Sequence, residues 1–414
     1  MSEGAPGAGP SADPRADPRA DTRPDPAAPP LAGLRVLDLS RILAGPWATQ
    51  TLADLGADVV KVERPGRGDD TRGWGPPWIE REEGRDAAYF HAANRSKRSV
   101  AIDLASGEGA DRVRVMARRA DVVVENFPLR PGADGPVHSL RHLGLDPASL
   151  RALNPRLVVC SITGYGHDGP RATELGYDAM IQAASGHMSI TGAPDGPPQK
   201  IGVALMDVMT GLYAATAIQA ALLRRERTGR GDHVDLALYD VALATLANQA
   251  MNRIATGRDP GRLGTAHPSI VPYQGFGCAD GEAIIAAGND TQHARLCALL
   301  GRPELAEGPF ATNAGRVEGR DTLVPALAGA IGGWRRDDLL AACAAAAVPA
   351  GPINGIGEAL ADPQAVHRGM VAAADGVALV RTPVRFAEAD TVPPRRPPAL
   401  DEHGDAVRDD PDWS

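Results

Sequence analysis

Between Leu34 and Ile162 the chain alternates between two kinds of apolar pattern. Arg35–Leu39, Asp58–Glu63, Ser99–Leu104, Asp121–Glu125 and Leu157–Ile162 are short runs dense in valine, leucine and isoleucine. Such runs predict strands, and an unbroken apolar core within a run predicts burial on both faces. Residues 46–56 and 108–119 lie between them and predict helices, the first with Pro46 near its first turn and Gly56 at its end. Each strand–helix–strand unit has the length of a right-handed crossover. The alternation predicts an α/β fold with a parallel sheet covered on both faces.

The longest periodic segment follows. Val208, Leu212, Ala215, Ile218 and Leu222 recur at three- and four-residue spacing, and basic Arg224, Arg225 and Arg227 precede Thr228-Gly229. This predicts one long helix with a basic C-terminal end. Asp207 falls at its start, where unpaired N–H groups and the helix dipole favour a carboxylate. On spacing alone two readings stay open, an N-cap or a reactive carboxylate at a site built from helix starts. Val234, Leu236 and Leu238 then alternate as a strand, and a helix is expected over 239–255.

Residues 257–264 read as a linker. Tyr273–Cys278 and Glu282–Ala287 flank Asp280-Gly281, a hairpin signal, and helical patterns recur near 290–300 and 321–346. The expected division is a disordered tail over 1–30, a large domain over 31–255, a smaller α+β domain over 265–345, and a return to the large domain over 350–414. Ala347–Asn354, with Pro349, Gly351 and Pro352, is expected to be the returning loop. The proline-rich, acidic end from Pro393 is expected to wrap or fray.

Composition narrows the function classes. The 414 residues are 43% hydrophobic and 23% charged, as in ordinary globular proteins. No apolar run reaches the length of a membrane span, so no membrane association is expected. The first thirty residues carry no apolar leader core; they repeat Asp13-Pro14-Arg15-Ala16 as Asp17-Pro18-Arg19-Ala20 and are otherwise rich in Pro, Ala and Gly. A net charge of −9 argues against nucleic-acid binding but permits a local basic pocket. Cys160, Cys278, Cys297 and Cys343 show no paired spacing, which argues for reduced thiols in the cytoplasm and against a metal site. In parallel sheets ligands bind beyond the carboxyl ends of the strands, which places Arg41, Arg64, Asn126 and Gly164 on one rim. Arg41–Pro46 stands where a dinucleotide-binding GxGxxG would follow the first strand, so that fingerprint is absent.

Several stretches together carry a resemblance over about residues 31–400. They are Leu34–Pro46, Lys61–Gly66 with Gly68–Arg72, Ser96–Ser99, Glu125–Phe127, Ser161–Gly166, Gly176-Tyr177-Asp178, the Asp207 segment, Arg227–Gly231 and Gly264–Tyr273. The chain resembles the family III CoA-transferases of CaiB/BaiF type, nearest the branch that moves CoA between succinyl-CoA and dicarboxylates such as glutarate or hydroxymethylglutarate. The resemblance implies a Rossmann-like large domain built from both chain ends, a small α+β domain, and two subunits interlocked as a homodimer in the cytoplasm. It also implies acyl-CoA and carboxylic acid substrates, with CoA itself a substrate and no metal or other cofactor.

Carried onto this sequence, the resemblance makes Asp207 the nucleophile, with Tyr177 and Asp178 in support. It places Arg41, Ile42, Ala44, Arg64, Ile102, Asn126, Phe127 and Leu238 along the bound CoA. A 2-methylacyl-CoA racemase of the same fold is the runner-up. Racemases carry histidine where Tyr177 stands, and a phenol with an ordinary pKa of about 10 is a poor base at neutral pH. A CoA-binding protein without catalysis ranks third, since Asp207 is intact. Leu43 replaces a glutamine of the formyl-CoA:oxalate members, and no glycine run follows Pro268, which argues against oxalate as acceptor. A phosphate-binding lysine of those members falls on Ala105, and their arginine falls near Arg141-His142. A dicarboxylate leaves one carboxylate to be held, with Arg41, Arg72, Lys200 and His267 as candidates.

Overall fold

A computed structural model describes residue 25, residues 27–81, residues 84–410 and residue 413. The expected disordered tail lies almost wholly outside the described residues. Near its end Ala27 is held, since the Asp390 amide donates to the Ala27 carbonyl (3.1 Å).

Eight strands lie in the region that carries the site and three more form a second region. They are β1 (Arg35–Asp38), β2 (Asp58–Glu63), β3 (Arg98–Ala101), β4 (Val122–Glu125), the short hairpin β5 (Leu129–Arg130) and β6 (Val137–His138), β7 (Val158–Thr163), β8 (His233–Ala237), and in a second region β9 (Tyr273–Gly277), β10 (Glu282–Ala286) and β11 (Ala350–Pro352). Six of them form one sheet, parallel throughout, in the order β3-β2-β1-β4-β7-β8. Alternate residues enter opposite cores, as strand geometry requires. Val36, Val122, Val124, Val158 and Cys160 pack under α1 (Ala44–Asp54) and the long helix α4 (Leu205–Thr228). Leu37, Val60, Val123 and Val159 pack under α2 (Gly107–Arg119) on the other face. The chain end closes that second face. A short helix (Gly404–Asp409) lies against β3, and buried Trp413 donates its indole N–H to Asp58 (2.9 Å).

The helix starting at Asp178 is α3 (Asp178–Ala184), and α5 (Leu238–Thr245) and α6 (Ala247–Thr256) follow β8. Here the pattern misled in two places. Leu238 opens a helix instead of ending a strand, and the single helix expected over 239–255 is broken where Ala247 takes φ 47°. Strand β3 ends at Ala101, short of the expected Leu104. Residues 350–352, expected as loop, pair with β10 as β11. The antiparallel order β9-β10-β11 and helices Asp290–Leu299, Arg320–Ile331 and Arg336–Ala345 enclose a separate core around Ile285, Leu296, Leu323 and Leu339.

By length and composition α4 could cross a membrane, with 24 residues and an 18-residue window of mean hydropathy 1.3, and this corrects the expectation that no stretch is apolar enough. Ala214, Ala215, Ile218 and Leu222 are buried against α1 and the sheet, the packing of a core helix.

Candidate active site

Strands β1 and β4 are neighbours, and the chain leaves them in opposite directions along the sheet. The crevice beyond their carboxyl ends is the position where such sheets bind ligands. Here the two loops are tied together. The Asn126 side chain accepts from the Arg41 amide (2.9 Å) and donates to the Arg41 carbonyl (2.8 Å). The next residue, Ile42, holds φ 72°, a region that a β-branched residue rarely enters. Its amide is directed at Asp69 (3.2 Å), and Asp69 is pinned by Lys61 (2.9 Å). Lys61 also donates to the Ser40 carbonyl (2.8 Å), and Lys97 bonds Asp38 (3.0 Å), Asn94 (2.8 Å) and the Pro46 carbonyl (3.0 Å). These lysines and carboxylates are buried. Burial would raise the Asp38 carboxyl, but Lys97 and Lys61 hold it down to about 2; burial brings Lys97 down to about 8 against the pull of Asp38. The strained loop therefore rests on paired buried charges, the arrangement that makes a buried ion costly to disturb.

Two adjoining cavities open along this crevice. The larger, about 510 Å³, lies beyond β1, β2 and β3 and is lined by Arg41, Lys61, Arg64, Ile102, Ala105, Phe127, Arg130, Leu140 and His142. The smaller, about 200 Å³, is lined by Arg41, Ile42, Leu43, Ala44, Asn126, Phe127, Gly164, Glu174, Tyr177, Asp207 and Leu238. Arg41, Phe127 and Pro128 belong to both walls. Arg41 (3.0 Å) and Arg64 (2.6 Å) share the single carboxylate of Asp70, which leaves one positive charge in excess in that trio.

Asp207 is the third residue of α4, and the N-cap position is Ala204, which makes no side-chain cap bond. The cap comes from another helix. Asp178 accepts from the amides of Met206 (2.7 Å) and Asp207 (3.3 Å), and its second oxygen accepts from Gln182 (2.6 Å). The capping reading of Asp207 is thus corrected, because Asp178 holds that place. Nor does Asp178 cap its own helix, where the N-cap is Tyr177. The Asp207 carboxylate is half-buried and has no hydrogen-bond partner among the described residues. Burial first, and the charge of Asp178 second, push it up to about 7. Burial disfavours the ionised form and a neighbouring like charge does the same. The amides of Met206 and Asp207 are thus spent on Asp178. The start of α1 offers others, because Leu43 makes no side-chain cap bond and Leu43 and Ala44 line the same chamber. Gly211 permits the two helices to meet: a Cβ there would stand 2.7 Å from the Ala44 carbonyl oxygen and 2.9 Å from the Trp47 Cβ.

Residues 31–404 match the model of CoA-transferase family III. The chain belongs to this family. The succinate–glutarate CoA-transferase of Agrobacterium fabrum is 51% identical over 383 residues, covering 91% of this chain and 94% of that protein. The succinyl-CoA:glutarate CoA-transferase of Mus musculus is 41% identical over 380 residues, covering 90% and 84%. The crystal structure of a CaiB/BaiF family protein from Brucella suis superposes with a TM-score of 0.83 at 53% identity, covering 92% of this chain and 99% of that one.

Within this CoA-transferase the expected site residues converge. Arg41, Arg64, Ile102 and Phe127 line the larger cavity, and Ile42, Ala44, Asn126, Tyr177, Asp207 and Leu238 line the smaller. Asp178 lies behind the wall, buried. Asn126 spends its amide on Arg41 and so shapes the loop. Of the candidates for a distal carboxylate, Arg72 is taken up by Glu63 (2.6 Å) and Asp86 (3.0 Å) under the Phe90 ring. Lys200 donates to the Ile201 carbonyl (3.2 Å), and His267 stacks on Tyr273 in the second region.

Sequence reasoning missed Lys61 and Lys97, whose strand and loop positions carry no mark of burial. It also missed Gln182, which orients Asp178, and Tyr89. The Tyr89 hydroxyl is raised by burial first and then by the charges of Asp207 and Asp178, and its ring stands edge-on to Trp74 (5.3 Å).

Proposed function

We propose that the enzyme transfers CoA from succinyl-CoA, or a similar donor, to a dicarboxylate such as glutarate, with Asp207 as the nucleophile. The observation that carries this reading is the Asp207 carboxylate, without a hydrogen-bond partner among the described residues and raised to about 7, in a chamber that shares Arg41, Phe127 and Pro128 with a larger cavity. A carboxylate freed from hydrogen bonds is a better nucleophile than a capped one. The larger cavity takes the nucleotide end of CoA, with Arg41 and Arg64 facing its phosphates, and the smaller takes the thioester.

The chemistry balances without a redox step or a net proton. An Asp207 oxygen attacks the donor thioester carbonyl; the C–S bond breaks, leaving an acyl–aspartyl anhydride and CoA thiolate. The thiolate attacks the aspartyl carbonyl and expels the donor acid, leaving an aspartyl–CoA thioester. The acceptor carboxylate attacks this thioester and releases CoA thiolate again. Thiolate attack on the acyl carbonyl of the second anhydride yields the new acyl-CoA and free Asp207. In this reading amides at the start of α1 steady the tetrahedral oxyanions. CoA is a substrate, and the sequence of steps requires no other cofactor.

The same reading includes the interlocked homodimer of a large and a small domain, and a cytoplasmic location. Exposed Tyr177, Met180, Leu223 and Ile254, 50–72% accessible in one subunit, supply apolar surface for the dimer.

The test is CoA exchange followed by mass spectrometry. Succinyl-CoA is incubated with glutarate, hydroxymethylglutarate, itaconate, mesaconate, malate or oxalate in turn. A new acyl-CoA from one dicarboxylate, abolished by Asp207→Ala, supports the reading. No exchange, with deuterium uptake at the α-carbon of a 2-methylacyl-CoA, overturns it in favour of the racemase.

A further inference from the structure

The transfer chemistry leaves one buried pair unused. Glu125 ends β4, and its Oε2 accepts the Phe127 amide (2.7 Å) and faces His138 Nε2 (3.2 Å). Its Oε1 is buried with no partner among the described residues. His138 closes the β5–β6 hairpin opposite Leu129, and its Nδ1 accepts the Leu140 amide (3.2 Å). That bond assigns the tautomer: Nδ1 offers a lone pair, so the ring proton sits on Nε2 and points at Glu125. One imidazole therefore joins Phe127 and Leu140, both of which line the larger cavity. The Ser139 amide adds a bond to the Pro128 carbonyl (3.2 Å) between the same two segments.

We propose that His138 is a positioning residue for CoA: it latches the 129–138 hairpin to Glu125 and so fixes the Phe127 and Leu140 walls of the larger cavity. This rests on the reading that the cavity takes the nucleotide end of CoA. The latch acts on CoA affinity and leaves the chemistry at Asp207 alone, since neither residue lines the smaller chamber. The bond to Glu125 is charge-assisted and buried, the strong kind.

Two variants separate the bonds. In His138→Asn the side-chain oxygen stands where Nδ1 stood and keeps the Leu140 bond, while contact with Glu125 is lost. In His138→Gln the terminal amide reaches Glu125, while the Leu140 bond is lost. Titration calorimetry with CoA on the full chain is expected to show about tenfold weaker binding for His138→Asn, the loss typical of one charge-assisted bond. The KM for acyl-CoA rises in step, while kcat and the KM for the acceptor acid stay within about twofold. His138→Gln recovers affinity to within about threefold of wild type. Equal CoA affinity in all three proteins, or kcat and both KM values moving together, overturns the proposal. Hydrogen exchange on the wild type tests it without any variant. CoA is expected to slow exchange across residues 126–140, and no change there overturns it. A wild type that binds no CoA at all fails the underlying reading instead, and calorimetry distinguishes that outcome.

Discussion

Asp207→Asn is expected to make the protein more stable as it makes it inactive, and to do so only above acidic pH. The Asp207 carboxyl moves from 3.8 to about 7 on folding. Roughly three pH units at 1.36 kcal/mol each give about 4 kcal/mol by which the fold disfavours the charged form. The sign follows from linkage. Below about pH 4 the group is protonated in both states and costs nothing; the cost grows as pH rises from the unfolded value towards about 7, and is complete above it. The carboxylate opens on a cavity that admits water, so about half of this, ~2 kcal/mol, is expected to survive as stability. Asparagine has no charge to suppress. Urea unfolding at pH 8 should show Asp207→Asn more stable by ~2 kcal/mol with an unchanged m value, and by less than about 1 kcal/mol at pH 4. Turnover should fall by roughly 10⁴ or more, as for other lost nucleophiles. A variant no more stable than wild type at pH 8, or a difference equal at the two pH values, would refute the reasoning that this carboxylate is held against its charge.

Three further outcomes follow from the same geometry. Asp178→Asn keeps an oxygen to cap α4 but removes a like charge. The Asp207 pKa falls from about 7 without reaching 3.8, because burial remains, and the acid limb of kcat/KM moves to lower pH; an unmoved limb contradicts the pairing. Gly211→Ala drives a Cβ to 2.7 Å from the Ala44 carbonyl, so calorimetry should show a loss of about 1–3 kcal/mol, and because both helix starts line the chamber, kcat falls even in fully folded protein. Asn126→Ala removes both bonds to the Arg41 backbone, about 1 kcal/mol each, and releases the Ile42 strain; the KM for acyl-CoA should rise several-fold, measured by initial rates.

Much of the large sheet was legible because its strands are buried on both faces, and such strands are written as runs of valine and isoleucine. The rim was legible for the same reason: once β1, β2, β4 and β7 are placed, Arg41, Arg64, Asn126 and Gly164 must follow them. What escaped depends on partners distant in sequence. Ala350–Pro352 joins a sheet because β10 presents a free edge, and Gly and Pro do not announce a strand. Ala247 breaks the α5–α6 segment at φ 47° with no glycine to mark it. Lys61 and Lys97 look like solvated charges until Asp69 and Asp38 are brought beneath them by the fold. The tie between Asp178 and the start of α4 spans 28 residues, and no periodicity carries it.

That tie explains why two carboxylates so close together have opposite fates. The start of α4 supplies its first amides and the positive end of a long helix dipole, a setting that stabilises one carboxylate. Asp178 arrives from a neighbouring helix and takes the amides of Met206 and Asp207, with Gln182 holding its other oxygen. Asp207, on the same turn, is left with the burial and the like charge but none of the hydrogen bonds. Had Asp207 capped its own helix, those amides would have lowered its pKa and tied up the lone pairs that must attack a thioester. The residue that looks most like a helix cap in the sequence is free to react because another residue caps the helix in its place.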